Sequence, residues 1–203
     1  MPGKVLLVGK QAKRARRMLL RVTQVLKNNE IPYWLEGGTL LGVIRENRLL
    51  PWDNDMDISI RFEDVDRLMS ILWKVNLKYY LYRFKTFKQD DFPFHKGDVR
   101  IVKIFNRKWI FDKGDLSLDI FIKKRVDDQR FWYVGVKRYT KKSVPARFYD
   151  DLTEIKFGKK NVSVPRDYEG YLTYRYGDWR TPVKEWDFSR DDRAILDSSK
   201  KKA

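Results

Sequence analysis

Three aspartates at alternate positions constrain the fold of this chain more than any other feature. Asp53, Asp55 and Asp57 stand in "PWDNDMDISI", residues 51–60, directly before a segment that becomes apolar. In an extended strand, residues two apart point the same way and lie about 6.6 Å from one another. At an effective dielectric of about 20, carboxylates at that distance repel by roughly 2–3 kcal/mol. A divalent cation that takes several oxygen ligands would reverse this penalty, whereas the alternative for this segment alone is a solvated acidic turn.

Two further features favour the cation site. Adjacent Gly37 and Gly38, in "EGGTLLG", let backbone N–H groups approach a phosphate closely, and the helix predicted after them adds a favourable dipole. Asp119 stands alone between apolar residues in "LSLDIFI", on a separate predicted strand. Two glycines at a strand–helix junction, a D-x-D strand and a lone strand aspartate form the nucleotidyltransferase-fold arrangement, which serves two-metal phosphoryl transfer.

Longer motifs carry a specific resemblance. The segment "EGGTLLGVIRENRLLPWDNDMDISI" resembles the signature of the LicD/fukutin family of phosphotransferases. The segments "LSLDIFI" and "VPRDYEGYLTYRYGDW" are similar to later motifs of that family, in the expected order. The resemblance extends from about residue 20 to residue 180. Asn54, Phe105 and Asn106 depart from residues common in the family, and the last two bear on donor or acceptor specificity.

The resemblance implies an activity and a set of site residues. Family members move a phosphorylated alcohol, such as phosphocholine, ribitol phosphate or glycerol phosphate, from a CDP-linked donor to a sugar or glycan acceptor. By motif position, Asp55, Asp57 and Asp119 are the catalytic metal ligands, and Asp53 supports substrate binding at the mouth of the site. The cofactor implied is Mg²⁺ or Mn²⁺, because hard cations prefer oxygen ligands.

Other residues near these motifs are candidates for substrate binding. Gly37, Gly38 and Thr39 form the phosphate loop, and the Thr39 hydroxyl is expected to cap the following helix. Arg45 is placed to clamp a diphosphate, with a plain surface arginine as the alternative. Lys103 is placed to reach phosphate, with a strand lysine that extends to solvent as the alternative.

Four residues receive mainly structural interpretations. Glu36 is expected to hydrogen-bond backbone, with orienting the glycine turn or binding a ligand hydroxyl as its alternatives. Trp52 is expected to anchor a Pro-Trp turn in the core, with stacking on a base as its alternative. His95, the single histidine, is interpreted as an incidental loop residue. Asp178 is interpreted as tying a helix end toward the site.

Composition excludes several kinds of chemistry and leaves other functions open. The chain has no cysteine, which rules out disulfides, thiolate metal sites and cysteine nucleophiles. With 44 basic and 28 acidic residues, the net charge of 44 − 28 = +16 favours anionic partners. Three alternatives stay open: a D-x-D glycosyltransferase that uses a nucleotide sugar, a nucleic-acid-binding or RNA-modifying protein, and a degenerate, inactive family member. Nucleic acid is disfavoured because basic and aromatic residues are dispersed along the chain.

The patterning predicts one α/β (α+β) domain over residues 1–203, with a nucleotidyltransferase-like mixed sheet flanked by helices. Helices are predicted at 11–29, 39–47 and 62–76, and strands at 56–62, 78–85, 98–107 and 116–125. A turn is predicted at 112–115, and helical structure within 131–150. A C-terminal helix is expected from "VSVPRDYEGYLTYRYGDW" with Gly177 as its stop, followed by a disordered basic tail at 197–203. The basic helix 11–29 is interpreted as a solvated face, or as one that contacts an anionic membrane or polysaccharide. No apolar run reaches the roughly 20 residues of a membrane span, so we expect a cytoplasmic protein or one peripheral to a membrane.

Overall fold

The computed structural model describes residues 5–76, 80–108, 112–135, 139–183, 186–187 and 190–196. The predicted tail at 197–203 lies outside this range. The helices are α1 (Gly9–Asn28), α2 (Gly37–Glu46), α3 (Val65–Asn76), α4 (Arg147–Asp150) and α5 (Tyr168–Tyr176). The strands are β1 (Tyr33–Leu35), β2 (Met56–Arg61), β3 (Tyr80–Thr86), β4 (Val99–Arg107), β5 (Lys113–Val126), β6 (Gln129–Val134), β7 (Thr140–Pro145), β8 (Leu152–Phe157) and β9 (Lys160–Pro165).

A seven-stranded mixed sheet forms the centre of the fold. Five strands follow the order β1-β2-β5-β4-β3, and β6 pairs with the far end of β5 and with β7. The β2–β5 pair is parallel, whereas the other pairs of this sheet are antiparallel. A separate hairpin, β8–β9, lies against β1. The predicted α/β (α+β) class with a mixed sheet and flanking helices is confirmed.

Helix α1 forms where apolar residues recur at helical spacing. Its inner face buries Ala15, Met18, Leu19 and Val22, and the helix contacts β5 and α3. Basic residues occupy the opposite face, as expected of an amphipathic helix. The helix ends at Asn28, ahead of Pro32. No helix within the described ranges is long and apolar enough to cross a membrane.

The expectation of helical structure within 131–150 is wrong. Strands β6 and β7 take up half of that segment, and among its described residues only the four of α4 are helical. The reason is a pairing partner that local patterning does not reveal, because β5 extends beyond the sheet centre and offers Lys124–Val126 to β6. Gly135, with φ of 98°, ends β6 in a conformation that glycine adopts without strain.

Two boundaries also differ from the sequence patterning. The turn expected at 112–115 is largely strand, since β5 begins at Lys113, and the Asn106 side chain accepts a hydrogen bond from the Leu116 N–H at 2.8 Å beside a bulge in β4. Residues 162–165, expected to open the C-terminal helix, belong to β9. Helix α5 instead begins after Asp167, whose carboxylate caps the Gly170 N–H at 3.0 Å, and it ends at Gly177 as expected.

Burial of the α1 face predicts a measurable contrast between two leucines. Leu19 is fully buried, whereas Leu6 is 47% exposed. We expect Leu19→Ala to lower the free energy of unfolding by about 2–5 kcal/mol, because the truncation leaves a cavity in the core. Leu6→Ala should change it by less than about 0.5 kcal/mol. Urea denaturation measures both, and equal losses would contradict this packing of α1.

Candidate active site

The parallel pairing of β2 with β5 brings the predicted acids together. In this register Asp57 lies opposite Asp119, and Asp55 stands one residue before β2 begins. Ligand oxygens of Asp55, Asp57 and Asp119 all lie within 4.8 Å of one another. The three side chains therefore converge on one point, as the sequence pattern predicts, although the strands that carry them are about 60 residues apart in the chain.

Burial and mutual repulsion disfavour the charged forms of these acids. Burial raises the pKa of Asp57 well above its usual range, and the neighbouring carboxylates Asp55 and Asp119 raise it further. Burial also raises the pKa of Asp119 to about 6, even though the ion pair with Lys103 acts in the opposite direction. The cluster is thus electrostatically costly without added positive charge.

A cation would satisfy this cluster. The Oδ1 atom of Asp119 is buried and has no hydrogen-bond partner within the described part of the chain. A buried carboxylate oxygen without a partner is unfavourable, and it is the kind of atom that a metal ion coordinates. Three convergent carboxylates and one orphaned oxygen fit a hard divalent cation such as Mg²⁺ or Mn²⁺.

The two glycines let the backbone pass directly beside the acids. Gly37 has φ of 55°, and a Cβ there would lie 3.0 Å from Asp57 Oδ2. A Cβ on Gly38 would lie 2.3 Å from Asp53 Oδ2, so the Asp53 carboxylate would have to shift. Close approach therefore favours glycine at both positions, and the positive φ favours it at Gly37 as well. The loop, Asp53 and the three clustered acids line the same pocket.

Thr39 does not cap the helix as expected. Helix α2 already begins at Gly37, so Thr39 is its third residue, and no side chain caps this helix. The Thr39 hydroxyl instead accepts a hydrogen bond from the Asp57 N–H at 2.8 Å. Together with the Glu36 N–H, which donates to the Asp57 carbonyl at 3.0 Å, this bond fixes the start of β2 against the loop.

The expectation that Glu36 bonds backbone through its side chain is wrong, because the carboxylate belongs to a buried charge network. It accepts from Ser59 Oγ at 3.0 Å and pairs with Lys123 Nζ at 2.7 Å, and it also contacts Tyr171 and Arg175. Burial opposes its ionisation, but Lys123 and Arg175 outweigh this and lower the pKa of Glu36 to about 2.

Arg175 extends the network to the C-terminal segment. Its Nε donates to Asp192 Oδ1 at 3.1 Å, and Lys142 donates to Asp192 Oδ2 at 2.6 Å. Arg175 and Glu36 are 139 positions apart in the chain. Sequence reasoning missed this network, and the available signal was an acid directly before the glycine pair and an arginine within "YRYGDW". Because Glu36 directly precedes Gly37, the network holds the start of the glycine loop in place.

Arg45 and Lys103, the two basic residues predicted to bind phosphate, line the pocket. Each of them already contacts other groups of the protein. Arg45 donates to Glu46 at 2.8 Å and to the Trp179 carbonyl at 3.3 Å. Lys103 pairs with Asp119. Both side chains face the pocket, so neither is the plain surface residue of the alternative interpretation.

The core position expected for Trp52 is wrong. Trp52 is 54% exposed and lines the pocket, with the Arg45 guanidinium 5.8 Å from its ring centroid. The turn at 51–54 follows buried Leu50, so the apolar anchor is the leucine. Asp178 also lines the pocket and accepts from Thr181 at 2.7 Å, whereas His95 is exposed and lies outside the pocket lining.

The pocket around the acids has a volume of about 550 Å³. Its walls carry aromatic rings, among them Trp52, Trp132, Tyr176 and Trp186, and its floor carries the carboxylates. Ligand pockets of a few hundred cubic ångströms enclose most of a small organic ligand. The carboxylate floor of the pocket can therefore accept an anion only when a cation is bound to it. The aromatic wall lies beside this floor.

A family profile described as "LicD/FKTN/FKRP, nucleotidyltransferase domain" matches residues 30–167. The match covers more than half of the chain and includes the glycine loop and all three clustered acids. The chain therefore belongs to the LicD/FKTN/FKRP family, which confirms the family resemblance of the sequence motifs.

Relatives are found in bacteria and in animals. An uncharacterized protein of Rickettsia prowazekii is 31% identical over 176 residues, which are 84% of this chain and 57% of that protein. Ribitol-5-phosphate transferase FKTN of Mus musculus is 28% identical over 182 residues, 87% of this chain and 35% of the relative. Lipopolysaccharide cholinephosphotransferase LicD of Haemophilus influenzae is 32% identical over 98 residues, 46% of this chain and 35% of the relative. The chain thus spans between 35% and 57% of the length of these relatives.

Repulsion within the acid cluster predicts that a site variant is more stable than the parent. The raised pKa of Asp57 means that its ionisation destabilises the fold as pH rises from its ordinary value of 3.8 through its raised value. We therefore expect Asp57→Asn to raise the melting temperature at pH 7.5 in the absence of divalent cations, with the advantage shrinking below pH 4. Thermal melts across pH test this, with the exposed Asp66→Asn as control. An unchanged or lower melting temperature at pH 7.5 would contradict the crowding of these acids.

The buried network predicts a large loss on truncation of one member. Glu36→Ala should lower the free energy of unfolding by about 3–5 kcal/mol, because Lys123 and Arg175 are left buried without their counter-charge. Glu154→Ala, which breaks the exposed pair with Lys27, is the matched control and should cost much less. Chemical denaturation measures both, and similar losses would contradict the network.

Proposed function

We propose that this chain is a divalent-cation-dependent transferase that moves a phosphorylated alcohol from a CDP-linked donor to a hydroxyl of a sugar or glycan. The observation that carries the proposal is the convergence of Asp55, Asp57 and Asp119 within 4.8 Å beside a glycine loop. Family membership supports it, since two relatives are named as a ribitol-5-phosphate transferase and a cholinephosphotransferase. Ribitol phosphate, glycerol phosphate and phosphocholine are the candidate groups for transfer.

The three carboxylates would hold the cation. Asp57 and Asp119 present oxygens from paired positions of two strands, and Asp55 adds a third from the turn before β2. Mg²⁺ or Mn²⁺ bound there would neutralise charge on a donor diphosphate and lower the pKa of an acceptor hydroxyl.

The glycine loop would bind the donor phosphates. Gly37 and Gly38 expose backbone N–H groups at the start of the ten-residue helix α2. Helix N-termini favour anions through these N–H groups and the helix dipole. Arg45, on the last turn of the same helix, and Lys103 add positive charge at the pocket wall. Arg45 would exchange its contact with Glu46 for a phosphate oxygen.

Proton transfer would fall to Asp119. Its carboxylate belongs to the cluster that would hold the cation, so it would lie within reach of an acceptor hydroxyl bound there and would act as the general base. The acceptor oxygen forms a bond to the phosphorus that carries the alcohol, and the bridging P–O bond to CMP breaks. The hydroxyl proton passes to a carboxylate oxygen of Asp119, and CMP leaves with the bridging oxygen.

CMP release tests the proposal directly. The full chain is incubated with Mg²⁺, a panel of glycans and CDP-ribitol, CDP-glycerol or CDP-choline. We expect CMP and no pyrophosphate with at least one donor. Asp55→Asn should reduce turnover by more than about 100-fold, since loss of a residue that merely orients a metal ligand already costs roughly 10–100-fold. The exposed Asp66→Asn should retain turnover.

Nucleotide preference separates this function from a D-x-D glycosyltransferase. Thermal shift with Mg²⁺ and CDP, UDP or GDP should show stabilisation by CDP above UDP, and loss of this stabilisation in Asp55→Asn. Stabilisation by UDP alone, or full turnover by a folded Asp55→Asn variant, would overturn the proposal.

A further inference from the structure

A second concave surface, which we call the basic groove, lies apart from the catalytic pocket. It has a volume of about 840 Å³ and shares no lining residue with the catalytic pocket. It runs between α1, the end of α3 and the turn of the β8–β9 hairpin. Its basic lining residues are Lys13, Arg16, Arg17 and Arg21 of α1, Lys74 of α3, and Lys159 and Lys160 of the hairpin. No acidic residue is among the described residues that line it.

Helix α1 concentrates positive charge on this surface. Residues 9–28 contain no aspartate or glutamate, so the basic face of the helix has no neutralising partner within the helix. The apolar face is buried in the core, which directs the charged face outward. Lys13 and Arg17 lie one turn apart and are both exposed. A single-sign surface of this kind attracts anionic partners over roughly a Debye length, about 8 Å at physiological salt.

The groove is a fixed feature of the packing. Arg16 donates to the Phe157 carbonyl at 3.2 Å and lies over the Phe157 ring at 4.7 Å. A Cβ on Gly158 would lie 1.2 Å from Arg16 Nη2, so the hairpin turn is packed directly against α1. On the other side, Lys74 donates to Asn29 Oδ1 at 2.6 Å. The hairpin wall is therefore held to α1, and the α3 wall is held to Asn29, the residue that follows α1.

The floor between these basic walls is mainly apolar. Half-buried Leu20 and Val25 face the groove, and Gln24 and Asn28 are its neutral polar lining residues in the described structure. Beside the groove, Trp73 is 57% exposed, with Lys74 Nζ 5.7 Å from its ring. Exposed tryptophan next to lysine is typical of surfaces that sit at a membrane interface.

We propose that the basic groove docks the protein on a membrane that contains anionic phospholipid. Lipid phosphates would contact the lysines and arginines, and the glycerol and upper acyl region would lie against Leu20 and Val25. Trp73 would enter the interface beside them. A single-stranded nucleic acid would need aromatic rings on which successive bases stack, and among the described residues the groove lining offers only the buried Tyr80. This inference goes beyond the proposed transferase and does not depend on it.

Vesicle co-sedimentation of the full chain tests the inference. We expect binding to vesicles of phosphatidylcholine mixed with phosphatidylglycerol, and none to phosphatidylcholine alone, with affinity that falls as salt rises. Lys13→Gln/Arg17→Gln removes two exposed charges of the groove and should weaken binding roughly thirtyfold. Lys88→Gln/Lys96→Gln removes two exposed charges elsewhere and should bind like the parent. Equal melting temperatures show that both variants are folded.

Three results would overturn the inference. The first is absence of binding to the anionic vesicles. The second is an equal loss for the two double variants, which would assign binding to the overall charge of +16. The third is displacement of the protein from vesicles by a single-stranded RNA oligonucleotide at physiological salt, which would identify the groove as a nucleic-acid site. Trp73→Ala provides a charge-neutral check, since weaker vesicle binding by this variant supports insertion at the interface and parental binding contradicts it.

Discussion

The parallel pairing of β2 with β5 is the constraint on which the site depends. Parallel neighbours need a long crossover, and here α3, β3 and β4 fill it, so that Asp57 and Asp119 meet from distant parts of the chain. A shift of one strand by one residue would turn its acid to the opposite face and so separate Asp57 from Asp119. Buried Ile58 and Ile120, which alternate with the acids along the two strands, hold that register. Their burial stabilises the pairing, whereas repulsion between the acids destabilises it.

Two charge clusters with different balance lie side by side beneath the pocket. In the network around Glu36, each carboxylate meets lysine or arginine, and the pKa of Glu36 and that of Asp192 are lowered by these partners against the effect of burial. In the acid cluster, Lys103 pairs with Asp119, yet the pKa values of Asp57 and Asp119 are raised. The network around Glu36, in which the charges are balanced, stabilises the position of the glycine loop. The acid cluster has excess negative charge and would therefore favour binding of a cation. A site that binds a cation tightly is expected to lower the stability of the fold when no cation is bound.

Local patterns in the sequence predicted the elements and the acids, because both depend on short-range periodicity. Helices α1 and α3, strands β2 to β5 and the glycine loop each carry their own signal of spacing or composition. The errors occurred where a distant partner decides the outcome. Residues 131–150 became strands because β5 offers an edge, and Glu36 turned inward because Arg175 approaches from the other end of the chain. Trp52 is exposed because Leu50 already fills the core position beside it.

The distribution of the excess positive charge separates two surfaces of the molecule. The pocket around the acids contains Asp53, Asp55, Asp57 and Asp119, so these carboxylates would repel an anion there until a cation is bound. The basic groove has no acidic lining residue in the described structure, and it needs no ion to attract an anion. Anion binding at the pocket should therefore depend on divalent cations, whereas anion binding at the groove should weaken as divalent cations screen it. The two surfaces respond to the same ion with opposite sign, because acidic residues outnumber basic ones in the lining of the pocket, whereas the groove is lined by basic residues without acidic ones among the described residues.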